Sequence, residues 1–237
     1  MNITFGIITT NDKEAQDRVT KIIENIKLLN IPNYEIVVVG GPNRSDVKYI
    51  PFTELSWISA ICHKKNLITQ HSSYENIVYS HDYVTYHNDW YQLWKLYDSE
   101  CVWHVGTNRI CNQDGSRFRD LVLWDYPNEN FSWTCCESWC PPGGIVFRGK
   151  PCLPSYTLNV NNYQKYIAVN GTWWIAKRDF MIEYPLNETI GWAMGEDIEW
   201  SLRWRSNDNI KYVFNPLAKC ILLKQKEAVF PIREDIV

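Results

Sequence analysis

Three uninterrupted apolar runs constrain this chain more than any other feature of its sequence. They are NITFGIIT (2–9), YEIVVVGG (34–41) and ENIVYSHD (75–82). Each is short and rich in β-branched residues, and each leads into turn-forming or polar residues, which is the pattern of a buried strand. Continuous rather than alternating apolarity means that both faces are covered, the situation of a parallel strand between two layers of helix. The spacers agree with this. Val19, Ile22, Ile23, Ile26 and Leu29 recur at helical spacing, so residues 13–30 form an amphipathic helix, capped by Asn11 or Asp12 and ended by Pro32. A short strand is expected around 48–50, a helix around 56–70, and another around 87–97 with Trp90, Trp94 and Tyr97 on one side. Strand, helix, strand, helix, strand is an α/β pattern with a parallel sheet and right-handed crossovers.

Sheets of this kind bind ligands beyond the carboxyl ends of their strands. Those ends carry Thr9, Thr10 and Asn11, then Gly40 and Gly41, then Ser80, His81 and Asp82. All are small, hydroxylated, glycine or polar, as a ligand crevice requires. No Gly-x-Gly-x-x-Gly follows the first strand, and there is no Gly-Lys-Ser/Thr loop and no Gly-x-Ser-x-Gly elbow. Those absences argue against dinucleotide dehydrogenases, P-loop enzymes and α/β-hydrolases. An acid such as Asp82 at the end of a buried strand suits a hard cation, which could in turn hold a diphosphate, with His81 as a further ligand or hydrogen-bonding group. The plainer reading is a polar turn in which Asp82 caps the next element, and the residues alone leave both open.

The second half is less regular. Residues 107–164 crowd Cys, Trp, Pro, Gly and Asn together, with one strand expected at 143–149. A strand at 165–171, a short helix at 177–184, a helix at 196–205 and strands at 212–215 and 219–223 follow. No repeat or separating linker is visible, so the 237 residues are read as a single domain. The helix at 196–205 opens with Glu196 and Asp197, behind Gly191, Trp192 and Gly195. A helix N-terminus keeps a carboxylate ionised, and a base held there beside an indole suits deprotonation of a sugar hydroxyl. Acids in a first helical turn are also common for the helix's own sake. Successive helical residues point about 100° apart, so the two acids are expected to face different ways.

Composition narrows the classes. The chain is 14% aromatic, with 12 tryptophans of which most lie beyond position 90. Such rings build cores first, and exposed ones would stack on the C–H faces of sugars. A net charge of −3 argues against nucleic-acid binding, and no apolar run approaches the roughly 20 residues of a membrane span. The first ten residues do not read as a signal peptide, so a cytoplasmic location with reduced thiols is the expectation for the eight cysteines. Cys135, Cys136 and Cys140 lack the second close pair that a structural zinc site needs.

Together the segments FGIITTN, KKNLI (64–68), ENIVYSHDYV, NGTWWIAKRDFMIEYPLNE (170–188) and WAMGEDIEW resemble, in their order and spacing, glycosyltransferases of the GT-A fold. WAMGEDIEW is similar to the Trp-Gly-Gly-Glu-Asp segment of Golgi galactosyltransferases and to the Glu-Asp motif of family-2 transferases. The brevity of the chain resembles compact members from bacteria and large DNA viruses. The resemblance implies a nucleotide-diphospho-sugar transferase fold, with a mixed, mostly parallel sheet flanked by helices. Residues 1–106 would bind the nucleotide and 107–237 the acceptor. It implies a UDP-sugar donor, a carbohydrate acceptor, and Mn²⁺ or Mg²⁺ on Asp82. Thr9, Thr10 and Gly41 would contact the nucleoside, and Lys65, Asn66, Ser80 and His81 would complete the donor site. Asp197 would be the base of an inverting reaction, Glu196 its helper, and Trp192 and Trp124 the acceptor platform. The chain departs from the pattern in having one acid at 80–82 instead of Asp-x-Asp, and no His beyond 104. Without a metal, Lys65 or Lys219 would have to offset the leaving-group charge. A non-catalytic carbohydrate-binding relative and a sugar nucleotidyltransferase are the competing readings; the latter normally has a Gly-rich basic loop after the first strand, and TTNDKEAQDR contains no Gly.

Overall fold

The apolar runs and their amphipathic spacers fold, in the computed structural model, as β1 (Ile3–Ile8), α1 (Lys13–Leu28), β2 (Tyr34–Val39), β3 (Lys48–Ile50), α2 (Ala60–His71), β4 (Asn76–His81), β5 (Val84–Tyr86), α3 (Trp90–Glu100) and β6 (Val105–Cys111). The second half adds β7 (Val122–Trp124), β8 (Trp133–Thr134), β9 (Arg148–Gly149), β10 (Pro151–Pro154), α4 (Val160–Tyr163), β11 (Ile167–Ala168), β12 (Trp173–Lys177), α5 (Arg178–Glu183), α6 (Glu196–Trp204), β13 (Tyr212–Leu222) and β14 (Ile232–Arg233). The structure describes residues 1–54, 60–127, 132–134, 148–190 and 195–237. The expected strand at 143–149 therefore lies outside the described residues except for its last two positions.

The central sheet runs in the order β3-β2-β1-β4-β12-β6-β13-β5. β2 is parallel to β3 and to β1, β1 to β4, and β6 to β13, while β12 runs against both β4 and β6, and β5 against β13. Thus β1, β2, β3, β4, β6 and β13 all point one way and deliver their carboxyl ends to one edge. The register is level there, because Ile8 pairs with Val39 on one side and with His81 on the other. A smaller sheet, β11-β7-β10-β14, packs beside it.

Both faces of the parallel strands are covered, as the continuous apolarity requires. Ile3, Phe5 and Ile7 meet Val19, Ile22, Ile23 and Ile26 of α1 on one face. Val37, Val39, Ile77 and Tyr79 join Ile68 of α2 and Trp200 and Trp204 of α6 on the other. Asp12 caps α1 by accepting the Ala15 N–H at 2.8 Å. The strands expected at 212–215 and 219–223 are one, β13, with an irregularity between Asn215 and Lys219. Pro216 cannot donate to the ladder there, and the Asn215 side chain accepts from the N–H groups of Leu217 and Ala218.

The aromatic surplus is spent on the core. Every tryptophan whose side chain is described, namely 90, 94, 103, 124, 173, 174, 200 and 204, is buried. The indoles of Trp90 and Trp94 both donate to Asn108 Oδ1, at 2.9 and 3.0 Å. No helix among the described residues is long and apolar enough to cross a membrane.

Helix and sheet approach closely at Gly6 in the middle of β1, where a Cβ would lie 2.4 Å from Ile68 Cγ2 of α2. Gly6→Val should therefore lower stability by about 1–3 kcal/mol through overpacking. Urea unfolding of the variant beside the parent protein checks this, and an unchanged midpoint would contradict the packing described.

Candidate functional site

Three features converge at the level edge of the sheet. The first is the set of strand ends. The Gly40 and Gly41 backbones have φ of +87° and +74°, a conformation that costs a side-chain-bearing residue strain. Here the chain passes close to its neighbours, since a Cβ on Gly40 would lie 2.5 Å from the Thr9 carbonyl and one on Gly41 2.5 Å from Gln16 Nε2. Thr9 is buried and Thr10 exposed. Gln16 of α1 donates to the Thr10 carbonyl at 2.5 Å, and Lys64 of α2 donates to the Thr9 carbonyl at 2.7 Å and to Glu54.

The second is Asp82, one residue beyond β4. Its Oδ2 accepts from Thr9 Oγ1 at 3.1 Å and from Arg18 Nη2 at 3.2 Å, and its carbonyl accepts from Arg18 Nε at 3.1 Å. Arg18 is on the inner face of α1, so the helix delivers a guanidinium directly onto the acid. Burial pushes the Asp82 carboxyl upward in pKa, and Arg18 and the Thr9 hydroxyl pull it back.

The third is the turn at 170–172, which enters β12. Because β12 runs antiparallel to β4, its first residues lie beside the end of that strand, and His81 N–H donates to the Thr172 carbonyl at 3.2 Å. Asn170 Oδ1 closes the turn by accepting the Thr172 N–H at 2.8 Å. The Gly171 N–H donates to Asp197 Oδ2 at 2.6 Å, and its carbonyl accepts from Lys65 Nζ at 2.6 Å. A Cβ at Gly171 would lie 3.1 Å from Asp197 Oδ2 and 3.3 Å from Glu196 Oε1. The two acids thus converge on one glycine. Their helical offset of about 100° does not send them to separate places, as the sequence suggested, because the missing side chain leaves room for both. Lys65 has no exposure to water and lies 4.1 Å from the centre of the Trp174 ring. Burial drives its ammonium toward the neutral form, and Glu196 and Asp197 oppose that. Burial also raises Glu196, with Asp197 adding to the rise and Lys65 reducing it.

Several expected residues are placed otherwise. Lys65 lies under the acid pair, with its ammonium on the Gly171 carbonyl, so it does not reach a diphosphate. Asn66 is buried and uses its amide to clamp the 185–188 turn: it donates to the Leu186 carbonyl and Glu188, and accepts the Leu186 N–H. Its polar atoms are consumed, which removes it from the donor site. Ser80 points into the sheet and donates to the Gly6 carbonyl at 3.3 Å. Trp124 is buried with Val122, Leu153, Ala168, Ile198 and Phe230, and Gly149 passes so close to its ring that a Cβ would lie 2.2 Å away. It is core and offers no face to a sugar. Lys219 is in the interior of β13, paired in register with Arg109. Trp192, Cys135, Cys136 and Cys140 lie outside the described residues. Sequence reasoning passed over Arg18 and Gly171, the one hidden in an ordinary amphipathic helix and the other in a loop.

The residues at Asp82 do not fit a resident divalent ion. One carboxylate is present where a hard cation needs several oxygen donors, and one of its oxygens is held by Arg18 and Thr9. Among the described residues no group of three or more His, Cys, Asp or Glu side chains could hold a metal. A separate polar depression of about 980 Å³, lined by His104, Gln164, Lys165, Arg205 and Lys211 among others, lies at the opposite end of β6 and β13.

No family model matches the sequence, and no curated protein matches it. Solved structures do match the fold. One is TarS 1–349 of S. aureus in complex with UDP-GlcNAc, with a TM-score of 0.56 and 11% identity over 96% of this chain and 60% of that one. TarS 1–349 in complex with UDP gives 0.54 and 11% over 94% of this chain and 61% of that one. This chain therefore spans about 60% of the length of the TarS 1–349 structures it matches. At that identity the likeness is one of fold, and the fold is the GT-A-like arrangement of a mixed sheet flanked by helices.

Burial, with Lys65, Lys226 and Lys64 nearby, holds the His81 imidazole well below its ordinary pKa, hence neutral. A base depressed on folding is protonated first in the unfolded chain, so its contribution to stability is lost as pH falls below about 6.5. The parent protein should lose up to about 1.4 kcal/mol per pH unit from this group below that point, and His81→Gln should lose less. Urea unfolding at pH 7.5, 6.5 and 5.5 checks it, and parallel slopes for the two proteins would refute it.

Proposed function

We propose that this chain transfers a sugar from a nucleoside diphosphate donor, a UDP-sugar, to a hydroxyl of a carbohydrate acceptor. The observation that carries this reading is the convergence of Asp197 and Glu196 on Gly171, in a turn hydrogen-bonded to the end of β4. It sets a pair of acids beside the edge where an α/β sheet takes its ligands. The fold likeness to structures containing UDP-GlcNAc and UDP supports the same reading.

In this reading the nucleoside lies along Thr9, Thr10, Gly40 and Gly41, and the diphosphate lies near Asp82. Residues 1–106 provide most of the donor side and residues 107–237 the acceptor side. Asp197 is the general base. It is half-buried at the first turn of α6, and its oxygens accept from the N–H groups of Gly171 and Ile198. Those bonds aim the carboxylate and leave further lone pairs for an acceptor hydroxyl. The acceptor oxygen attacks the anomeric carbon, its proton passes to Asp197, and the bond to the diphosphate oxygen breaks on the opposite side. The products are the inverted glycoside and UDP. Glu196 and Lys65 are positioning residues: Lys65 Nζ holds the carbonyl of Gly171, whose N–H aims the Asp197 carboxylate, and Glu196 packs against the same glycine.

Asp197→Asn keeps the shape and removes basicity, so turnover should fall by about 10²-fold or more, with donor affinity nearly unchanged. Glu196→Gln should cost less. A transfer assay comparing the two variants with the parent protein decides it. Near-normal turnover in Asp197→Asn with loss in Glu196→Gln would reverse the roles, and activity in both would reject the mechanism.

A further inference from the structure

Cations gather around Asp82 and Tyr83, and the mechanism above does not use them. β13 is parallel to β6 and ends at the ligand edge of the sheet, so the chain leaving it passes beside the end of β4. That exit segment is laced down. Leu223 N–H donates to the Tyr83 carbonyl at 2.8 Å, Lys226 N–H donates to Asn112 Oδ1 at 2.8 Å, and the Asn112 amide donates back to the Lys226 carbonyl at 2.8 Å. The result is that Lys224 Nζ and Lys226 Nζ stand 5.6 and 5.0 Å from the centre of the Tyr83 ring. Tyr83 follows Asp82, and its hydroxyl is 3.5 Å from Thr172 Oγ1 in the turn that meets the acid pair. Arg119 joins the group, with its guanidinium 4.6 Å from the Phe230 ring centre.

Like charges brought this close repel: Lys224 and Arg119 add to burial in disfavouring the charged form of Lys226, and Asp82 alone opposes them. Arg18 already neutralises Asp82 from the other side. At this corner the Asp82 carboxylate meets Arg18, Lys224 and Lys226, while Asp12 and the exposed Glu14 also face Arg18, so the two lysines are left crowded against each other beside Tyr83. A divalent cation added here would worsen the repulsion, whereas a dianionic or trianionic group would relieve it.

Resting on the UDP-sugar reading above, we infer that Lys224 and Lys226, with Arg18 bracing Asp82, form the diphosphate site and hold the nucleotide without a divalent ion. Asp82 serves there as the anchor of Arg18 in place of a metal ligand. The lysines neutralise the charge that grows on the diphosphate oxygens as the bond to the sugar breaks.

Calorimetric titration of the whole protein with UDP and with uridine, in EDTA and in manganese, tests this. UDP should bind in EDTA within about twofold of its affinity in manganese. Lys224→Ala combined with Lys226→Ala should weaken UDP by about tenfold or more, on the scale of charge-assisted contacts, and leave uridine unchanged. Uridine carries the base and ribose without phosphates, so its retained binding also shows that the variant is folded. A tenfold loss of UDP affinity in EDTA, or a double variant that binds UDP like the parent, overturns the inference while leaving the donor reading intact. A parent protein that binds neither UDP nor uridine overturns the donor reading, and this inference with it.

Discussion

A lysine ammonium sealed from water sits under the site, and much of the local structure exists to satisfy it. Burying a lone charge costs several kcal/mol unless it is paired and hydrogen-bonded. Lys65 obtains a carbonyl from Gly171 and the face of Trp174, and the charges of Glu196 and Asp197 nearby favour its ammonium form. These partners come from a loop, a strand and a helix that are more than a hundred residues further along the chain. Satisfying one charge therefore fixes the start of α6 against the entry of β12. A Cβ at Gly171 would press on both carboxylates and shift them by a few tenths of an ångström. The α6 N-terminus has no side-chain cap from Gly195, and Asp197 takes the Ile198 N–H instead.

The frame around this centre is rigid for reasons of packing. Tryptophan rings fill both faces of the central sheet, and Trp90 and Trp94 share a single buried amide on Asn108. Large rings with their polar atoms tied down have few alternative arrangements. The parallel strands they brace end level with one another, so Thr9, Gly40 and Asp82 open onto the same edge. The exit of β13 reaches that edge as well, which is how residues near the C-terminus come to border a crevice built by the first eighty.

Apart from the short β5, the elements of the first hundred residues were legible because burial on two faces writes continuous apolarity into each parallel strand and because α1 carries its periodicity and its Asp12 cap locally. The acids of α6 were legible for the same reason, as first-turn residues of an amphipathic helix. The site's wiring was not. Lys64 and Lys65 are neighbours of the same type, and only the packing of α2 against β1 and β12 decides that one reaches Thr9 while the other lies under Gly171. Asn66 reads as a ligand-binding amide until the 185–188 turn is seen to occupy it. Trp124 reads as a sugar platform until its partners in the small sheet cover it.

The sequence by itself determined the alternation of strand and helix, the polar strand ends that form the candidate edge and the helix that carries the acids, since each follows from hydrophobic periodicity and capping within a few residues. Tertiary structure alone decided which charges meet. Arg18 reaches Asp82 across 64 positions and Lys65 reaches the Gly171 carbonyl across 106, and Coulombic pairing at such separation depends on distance in space, which leaves no periodic trace along the chain.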